Sequence, residues 1–108
     1  MRVKICGITR LEDALLAEAL GAFALGFVLV PGSRRRIAPE AARAIGEALG
    51  PFVVRVGVFR NQPPEAVLRL MEEARLQVAQ LHGEEPPEWA EAVGRFYPVI
   101  KAFPLEGP

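Results

Sequence analysis

The sequence predicts an α/β fold built on a parallel sheet. Three observations predict it. Short β-type runs alternate with helix-length segments in the order βαβαβαβαβ. Each strand is separated from the next by one helix, which demands parallel pairing through right-handed crossovers. Hydrophobic residues make up 51% of the 108 residues, enough apolar material for one buried core.

The elements follow in order. "VKIC" at 3–6 reads as the first strand. Thr9 with Glu12 three residues on has the form of a capping box. Behind it Leu11, Leu15, Leu16 and Leu20 give the apolar face of a first helix, which Gly21 stops. "ALGFVLV" at 24–30 is near-continuously apolar, as a strand covered on both faces should be. "PGSRRRIAP" is a loop, and Pro39 opens a second helix running to about Leu49, with Gly50 after it. "FVVRVGVF" at 52–59 is the third strand, and "NQPPEAVLRLMEEA" turns into the third helix. "LQVAQLH" at 76–82 is the fourth strand, "EEPPEWAEAVG" holds a short helix, and "PVIKAF" at 98–103 is the fifth strand. Trp89, Met71 and the leucines of the helical patterns read as packing residues. No linker, low-complexity tract or charge block divides the chain, so residues 1–108 read as a single domain.

Two architectures accommodate this order. One is an open, doubly wound five-stranded sheet of the flavodoxin type, complete in itself. The other is part of a (βα)8 TIM barrel, with the chain covering strands 1 to 5 and four helices. The strand-to-strand repeat is about 25 residues, and eight such units give roughly 200, the lower end for that barrel. Side-chain parity favours the barrel. Lys4 and Cys6 share one face of strand 1, Arg55 and Gly57 one face of strand 3, and Gln80 and His82 one face of strand 4. Lys101 lies opposite Ile100 and Ala102 on strand 5. The expectation is one inward barrel face on which these charges meet counter-ions, because an open sheet covered on both sides has no good place for them.

Composition excludes several functional classes. Thirteen basic and thirteen acidic residues cancel, so the basic excess of a nucleic-acid-binding domain is missing. A single cysteine allows no intrachain disulfide, which suits a reducing compartment. No apolar run reaches membrane-spanning length, and no signal-peptide pattern opens the chain. The expectation is a cytoplasmic protein with no membrane partner. GxGxxG, P-loop and HExxH motifs are all missing.

Three stretches carry candidate chemistry. "KICGIT" places Cys6 at the end of strand 1. Cys6 is either a small buried hydrophobe or a thiolate at the mouth of the sheet, acting as nucleophile, metal ligand or general base. One Cys and one His are too few for the usual metal ligand sets, while a Cys6–His82 nucleophile pair is conceivable. "PGSRRR" places Arg34, Arg35 and Arg36 on the loop after strand 2. They form either a solvated basic turn or a fork for a carboxylate or phosphate. "QLHGEE" ends strand 4, where His82 is either a hydrogen-bonded structural residue or a ligand-facing one. Gln80 below it either orients a substrate or satisfies Lys4 or Arg55.

Together, "KICGIT", "GFVLVPGSRRRI", "RVGVF", "QLHGEE" and "VIKAF", in this order and spacing, resemble the phosphoribosylanthranilate isomerases of tryptophan biosynthesis over essentially the whole chain. The resemblance implies a cofactor-free Amadori rearrangement of N-(5-phosphoribosyl)anthranilate, an aminoaldose, to the 1-deoxyribulose ketose. It implies that Cys6 is the general base and that Arg35 binds the anthranilate carboxylate, with Arg34 and Arg36 as neighbouring alternatives. Gln80 and His82 fall on family positions at the pocket wall. The family's general acid is an aspartate at the end of strand 6, and its phosphate loops follow strands 7 and 8. The expectation is therefore that this chain is the N-terminal part of such an enzyme and is inactive by itself. The only partner implied is the small phosphorylated substrate, and a homodimer is compatible. Two other readings remain: a complete flavodoxin-like binding or regulatory domain, and the histidine-biosynthesis half-barrels. The latter place an aspartate where Cys6 stands. The former wants an acidic cluster after strands 1 and 3, where this chain has Glu12 and Asp13 in a helix and Phe59-Arg60-Asn61.

Overall fold

The structure is a computed structural model and describes residues 2–102; Phe103, included in the expected fifth strand, lies outside the described residues. Nine elements follow one another: β1 (Lys4–Cys6), α1 (Leu11–Ala19), β2 (Ala24–Val28), α2 (Pro39–Ala48), β3 (Val54–Phe59), α3 (Pro64–Ala74), β4 (Val78–Leu81), α4 (Pro87–Gly94) and β5 (Val99–Lys101). The five strands form one parallel sheet in the order β1-β2-β3-β4-β5. An open doubly wound sheet reverses its strand order at a switch point. A strictly sequential order with right-handed crossovers keeps every helix on one side. That excludes the flavodoxin alternative and leaves the partial barrel.

A contact across the bare face shows that the sheet curls. Lys4 Nζ on β1 donates to Gln80 Oε1 on β4. On a flat sheet those strands would stand three spacings, about 14 Å, apart, with side chains perpendicular to it. Curvature of the barrel kind brings them together.

The core lies between the outer face of the sheet and the helices. Leu25, Phe27, Phe59, Ala79 and Leu81 from the strands pack with Ala42, Ile45, Val67, Met71 and Val93 from the helices. Gly57 lets this layer close: a Cβ there would stand 2.8 Å from Leu76 Cδ1 and 3.0 Å from Met71 Sδ. Helices α2, α3 and α4 each carry proline in their first turn. Proline there gives up an N–H that has no helical partner anyway.

Helix α1 departs from the sequence expectation twice. Its N-cap is Arg10, with no side-chain cap bond, and Glu12 pairs with Arg10 Nε at 2.8 Å instead of reaching back to Thr9. Its leucines do not form the buried face: Leu11, Leu15, Leu16 and Leu20 are all exposed, and Ala14 and Ala17 are the residues against the core. Small side chains let the helix sit close on the sheet, which turns the leucines outward. The C-terminal stop is as read. Gly21, at φ +91°, and Ala22 donate to Glu18 and Ala17 carbonyls at 3.0 Å, closing a Schellman motif.

Parity held within strands but not between them. Register pairs Cys6, Gly26, Val56 and Val78 on one face, and Val28, Val58, Gln80 and Ile100 also on that face. Arg55 pairs with Leu25, and Lys101 with Leu81, so both belong to the opposite, helix-facing parity. Arg55 is fully employed there. Its Nη2 donates to the Gly46 carbonyl at 2.6 Å and its Nη1 to Val53 at 2.8 Å, with the Leu49 and Gly50 carbonyls within 3.4 Å. A guanidinium thus closes the carbonyl end of α2, where positive charge is favoured.

Candidate active site at the C-terminal rim

The C-terminal ends of the strands carry the polar side chains of the inner face. Cys6 ends β1 and is exposed. Its neighbour on β2 is Gly26, where a Cβ would lie 2.9 Å from Cys6 Sγ. Any larger residue at 26 would push the sulfur aside. The chain then turns sharply: Gly7, at φ +86°, and Ile8 both donate to the Gly26 carbonyl, at 3.0 and 3.1 Å. A left-handed conformation of this kind suits glycine.

The loop after β2 is two consecutive turns. Val30–Ser33 is closed by Ser33 N–H on the Val30 carbonyl at 3.2 Å, with Pro31 second and Gly32 third at φ +83°. That is the residue order of a type II turn. Arg36 N–H then bonds the Ser33 carbonyl at 3.2 Å, and the Ser33 hydroxyl accepts from Arg35 N–H at 3.2 Å. These turns separate the three arginines. Arg36 bridges to Val28 and lines an outer cavity with Pro39, Gln62 and Arg69. Arg34 is exposed. Arg35 lies across Gly7: a Cβ on Gly7 would stand 2.6 Å from Arg35 Cδ and 3.1 Å from its Nη1. The loop therefore delivers one guanidinium to the residue next to Cys6.

On β4, Gln80 is 7% exposed and His82 is exposed at the strand end, with Gln80 Nε2 3.5 Å from His82 Nδ1. His82 lines a cavity of about 440 Å³ with Val28, Val30, Ser33, Val58 and Arg60. Of the alternatives for Gln80, the structure makes it the partner of Lys4 and not of Arg55, which lies on the other face. The structure brings Arg35 against Gly7, the residue that follows Cys6, and Lys4, Gln80 and His82 together; it shows no direct Cys6–His82 contact. Among the described residues no cluster of three or more His, Cys, Asp or Glu is placed to hold a metal ion.

Sequence reasoning missed Glu85. Its carboxylate is buried and accepts from Gly83 N–H at 3.0 Å, Asn61 N–H at 2.9 Å and Lys101 Nζ. Asn61, at φ +53°, accepts at its Oδ1 from Glu84 N–H at 2.8 Å, and Lys101 also donates to the Gly83 carbonyl. This network ties the loops after β3 and β4 to β5 and so stiffens the rim. The available signal was Asn61 after the strand, since Asn tolerates the left-handed region. Burial by itself would raise the Glu85 carboxyl; the Lys101 ammonium and the backbone N–H groups outweigh it and hold the pKa below the ordinary glutamate value. The stabilisation is therefore present above the unfolded-state pKa and is lost as pH falls through the folded-state one. Glu85→Gln should lower stability at neutral pH by about 1.5–3 kcal/mol and flatten its fall below about pH 5. Urea unfolding across pH measures both. An unchanged acid limb would mean that the carboxylate is not held as described.

Sequential parallel strands, helices on one side and a polar rim at the strand C-termini define an enzyme-type βα-barrel segment. The family profile for N-(5'phosphoribosyl)anthranilate (PRA) isomerase matches residues 3–107, and the chain belongs to that family. It is 53% identical over 102 residues to N-(5'-phosphoribosyl)anthranilate isomerase of Thermotoga maritima, covering 94% of this chain and 50% of that protein. The Deinococcus radiodurans isomerase is 50% identical over 103 residues, 95% of this chain and 50% of that protein. A crystal structure of phosphoribosyl anthranilate isomerase from Thermus thermophilus superposes with a TM-score of 0.97 at 97% identity, covering 100% of this chain and 54% of that chain. The isomerase in complex with reduced 1-(o-carboxyphenylamino)-1-deoxyribulose 5-phosphate superposes with a TM-score of 0.91 at 52% identity, covering 94% of this chain and 52% of that chain. The chain thus spans about half the length of the curated relatives it matches.

Proposed function

We propose that this chain supplies the N-terminal five strands of a (βα)8 barrel that isomerises N-(5-phosphoribosyl)anthranilate in tryptophan biosynthesis. The observation that carries this reading is an exposed Cys6 whose sulfur lies against Gly26, with Arg35 lying across Gly7, the next residue in the chain. Family membership supplies the substrate class.

Arg35 holds the anthranilate carboxylate, a planar anion that its planar fork matches. Protonation of the furanose oxygen opens the ring and leaves a protonated imine at C1′. The Cys6 thiolate then takes the proton from C2′. The C–H electron pair becomes the C1′=C2′ bond of an enolamine, and the nitrogen accepts the imine electrons. Ketonisation at C2′ gives the deoxyribulose. Gln80 and His82 form the wall of the pocket. The acid for the ring oxygen and the phosphate loops belong, on this reading, to strands 6 to 8. A cytoplasmic setting is part of this reading; separately, no helix among the described residues is long and apolar enough to cross a membrane. The Thermotoga maritima relative is dimeric, and a homodimer fits here too.

The test compares two purified proteins by loss of substrate fluorescence. The chain joined to the remaining three βα units turns substrate over. The 108 residues alone do not, and they self-associate through the outer edges of β1 and β5, which pair with no strand among the described residues. Comparable turnover by both would refute the assignment of acid and phosphate site to later strands.

A further inference from the structure

Gln80 stands on the inner face of β4 and is 7% exposed. A carboxamide has an acceptor end and a donor end, and burial makes an unmet end costly. Lys4 Nζ has protons to give and no lone pair, and it meets Oε1. That contact sets which end of the amide faces β1. Nε2 is left facing His82 Nδ1 at 3.5 Å. An amide nitrogen offers only protons, so Nδ1 must accept. In the neutral ring the proton then sits on Nε2.

We infer that Lys4, acting through Gln80, is a positioning residue that fixes His82 as the Nε2–H tautomer, so that the ring offers a hydrogen-bond donor to a ligand oxygen in the cavity bordered by Ser33, Val58 and Arg60. The ligand class is an acceptor oxygen: a hydroxyl, carbonyl or carboxylate. This deepens the isomerase reading and rests on it only for the ligand's identity. It also gives Lys4 a task. An ammonium on the inner face of a barrel needs a partner, and the partner chosen here passes the orientation on to the rim.

The test is ¹⁵N NMR of the intact protein with labelled histidine, at a pH about two units above the ordinary histidine pKa. His82 signals are identified by their loss in His82→Asn. The wild type should show a bare Nδ1 and a protonated Nε2. Lys4→Met frees the amide to turn and should raise the Nδ1–H population at least about threefold, because a charged hydrogen bond is lost; Lys4→Arg, which keeps a donor, should restore the wild-type pattern. Gln80→Glu puts an acceptor-only group against Nδ1 and should invert the ring to Nδ1–H without any flip. If one variant fails to fold, the other decides. A predominantly Nδ1–H wild type would overturn the inference, as would unchanged ring signals in Lys4→Met or in Gln80→Glu. No substrate is present, so this outcome and the turnover assay fail independently.

Discussion

Replacing Cys6 by alanine in the intact protein lowers kcat by about 10²–10⁴-fold and leaves KM nearly unchanged, the range that a positioned general base supplies. The sulfur is the one group at the end of β1 able to take a proton, and it is exposed. Nothing about the substrate's anionic handles depends on it, so ground-state binding survives its removal. Cys6→Ser preserves the shape and still loses most of the rate, because a hydroxyl gives up its proton far less readily at neutral pH. The fold tolerates both changes. Cys6 leans on Gly26 and contributes nothing to the core, which lies on the other face. Steady-state kinetics with matched circular dichroism would check this. A Cys6→Ala protein within threefold of wild type in kcat would remove the proposed base.

Arg35→Ala acts differently. It lowers kcat/KM by about 10–150-fold, chiefly through KM, since a hydrogen bond to a charged group contributes about 1.5–3 kcal/mol. Arg35→Lys recovers part of this, because a point charge lacks the two-pronged geometry. Arg34→Ala and Arg36→Ala change kcat/KM by less than about threefold, within the range of a surface substitution. Arg36 faces the outer cavity beside Pro39, and its backbone bridge to Val28 survives truncation. The contrast among three adjacent arginines is what the two turns of the loop predict. Equal losses at all three would mean that the basic run acts as a diffuse field and that Arg35 holds no special place.

Those turns also show what was legible in the sequence. Pro31-Gly32 and the strand–helix alternation are local signals that the structure bears out, whereas the Thr9–Glu12 capping box, equally local, gives way to the Arg10–Glu12 pair. The five strands, four helices and their order followed from patterning alone. The phase between strands did not. Arg55 and Lys101 looked like inward charges because period two holds inside each strand, but stagger between neighbours sets which face a residue takes. Register placed Arg55 at the carbonyl end of α2 and Lys101 beside Glu85. Helix α1 failed for a related reason. Its leucines have helical spacing, yet Ala14 and Ala17 are what the sheet accepts at close range. Hydrophobic spacing identifies a helix without saying which side of it is covered.

The candidate site divides the same way. Cys6, Arg35, Gln80 and His82 stood out because each is a chemically distinctive residue at a strand end or on a loop. Glu85 did not, because two prolines follow it and a second glutamate precedes it. Its importance comes from Asn61, a residue 24 positions away. Such a network is visible only once the loops after β3 and β4 meet.

Alkylation of Cys6 tests the central claim most directly. The intact protein is treated with iodoacetamide, the modified fraction at Cys6 is followed by peptide mass, and residual turnover is measured on the same samples. Activity should fall in proportion to the modified fraction, and reduced 1-(o-carboxyphenylamino)-1-deoxyribulose 5-phosphate should slow both losses together. A protein fully carboxamidomethylated at Cys6 that still turned over at the wild-type rate would contradict the account.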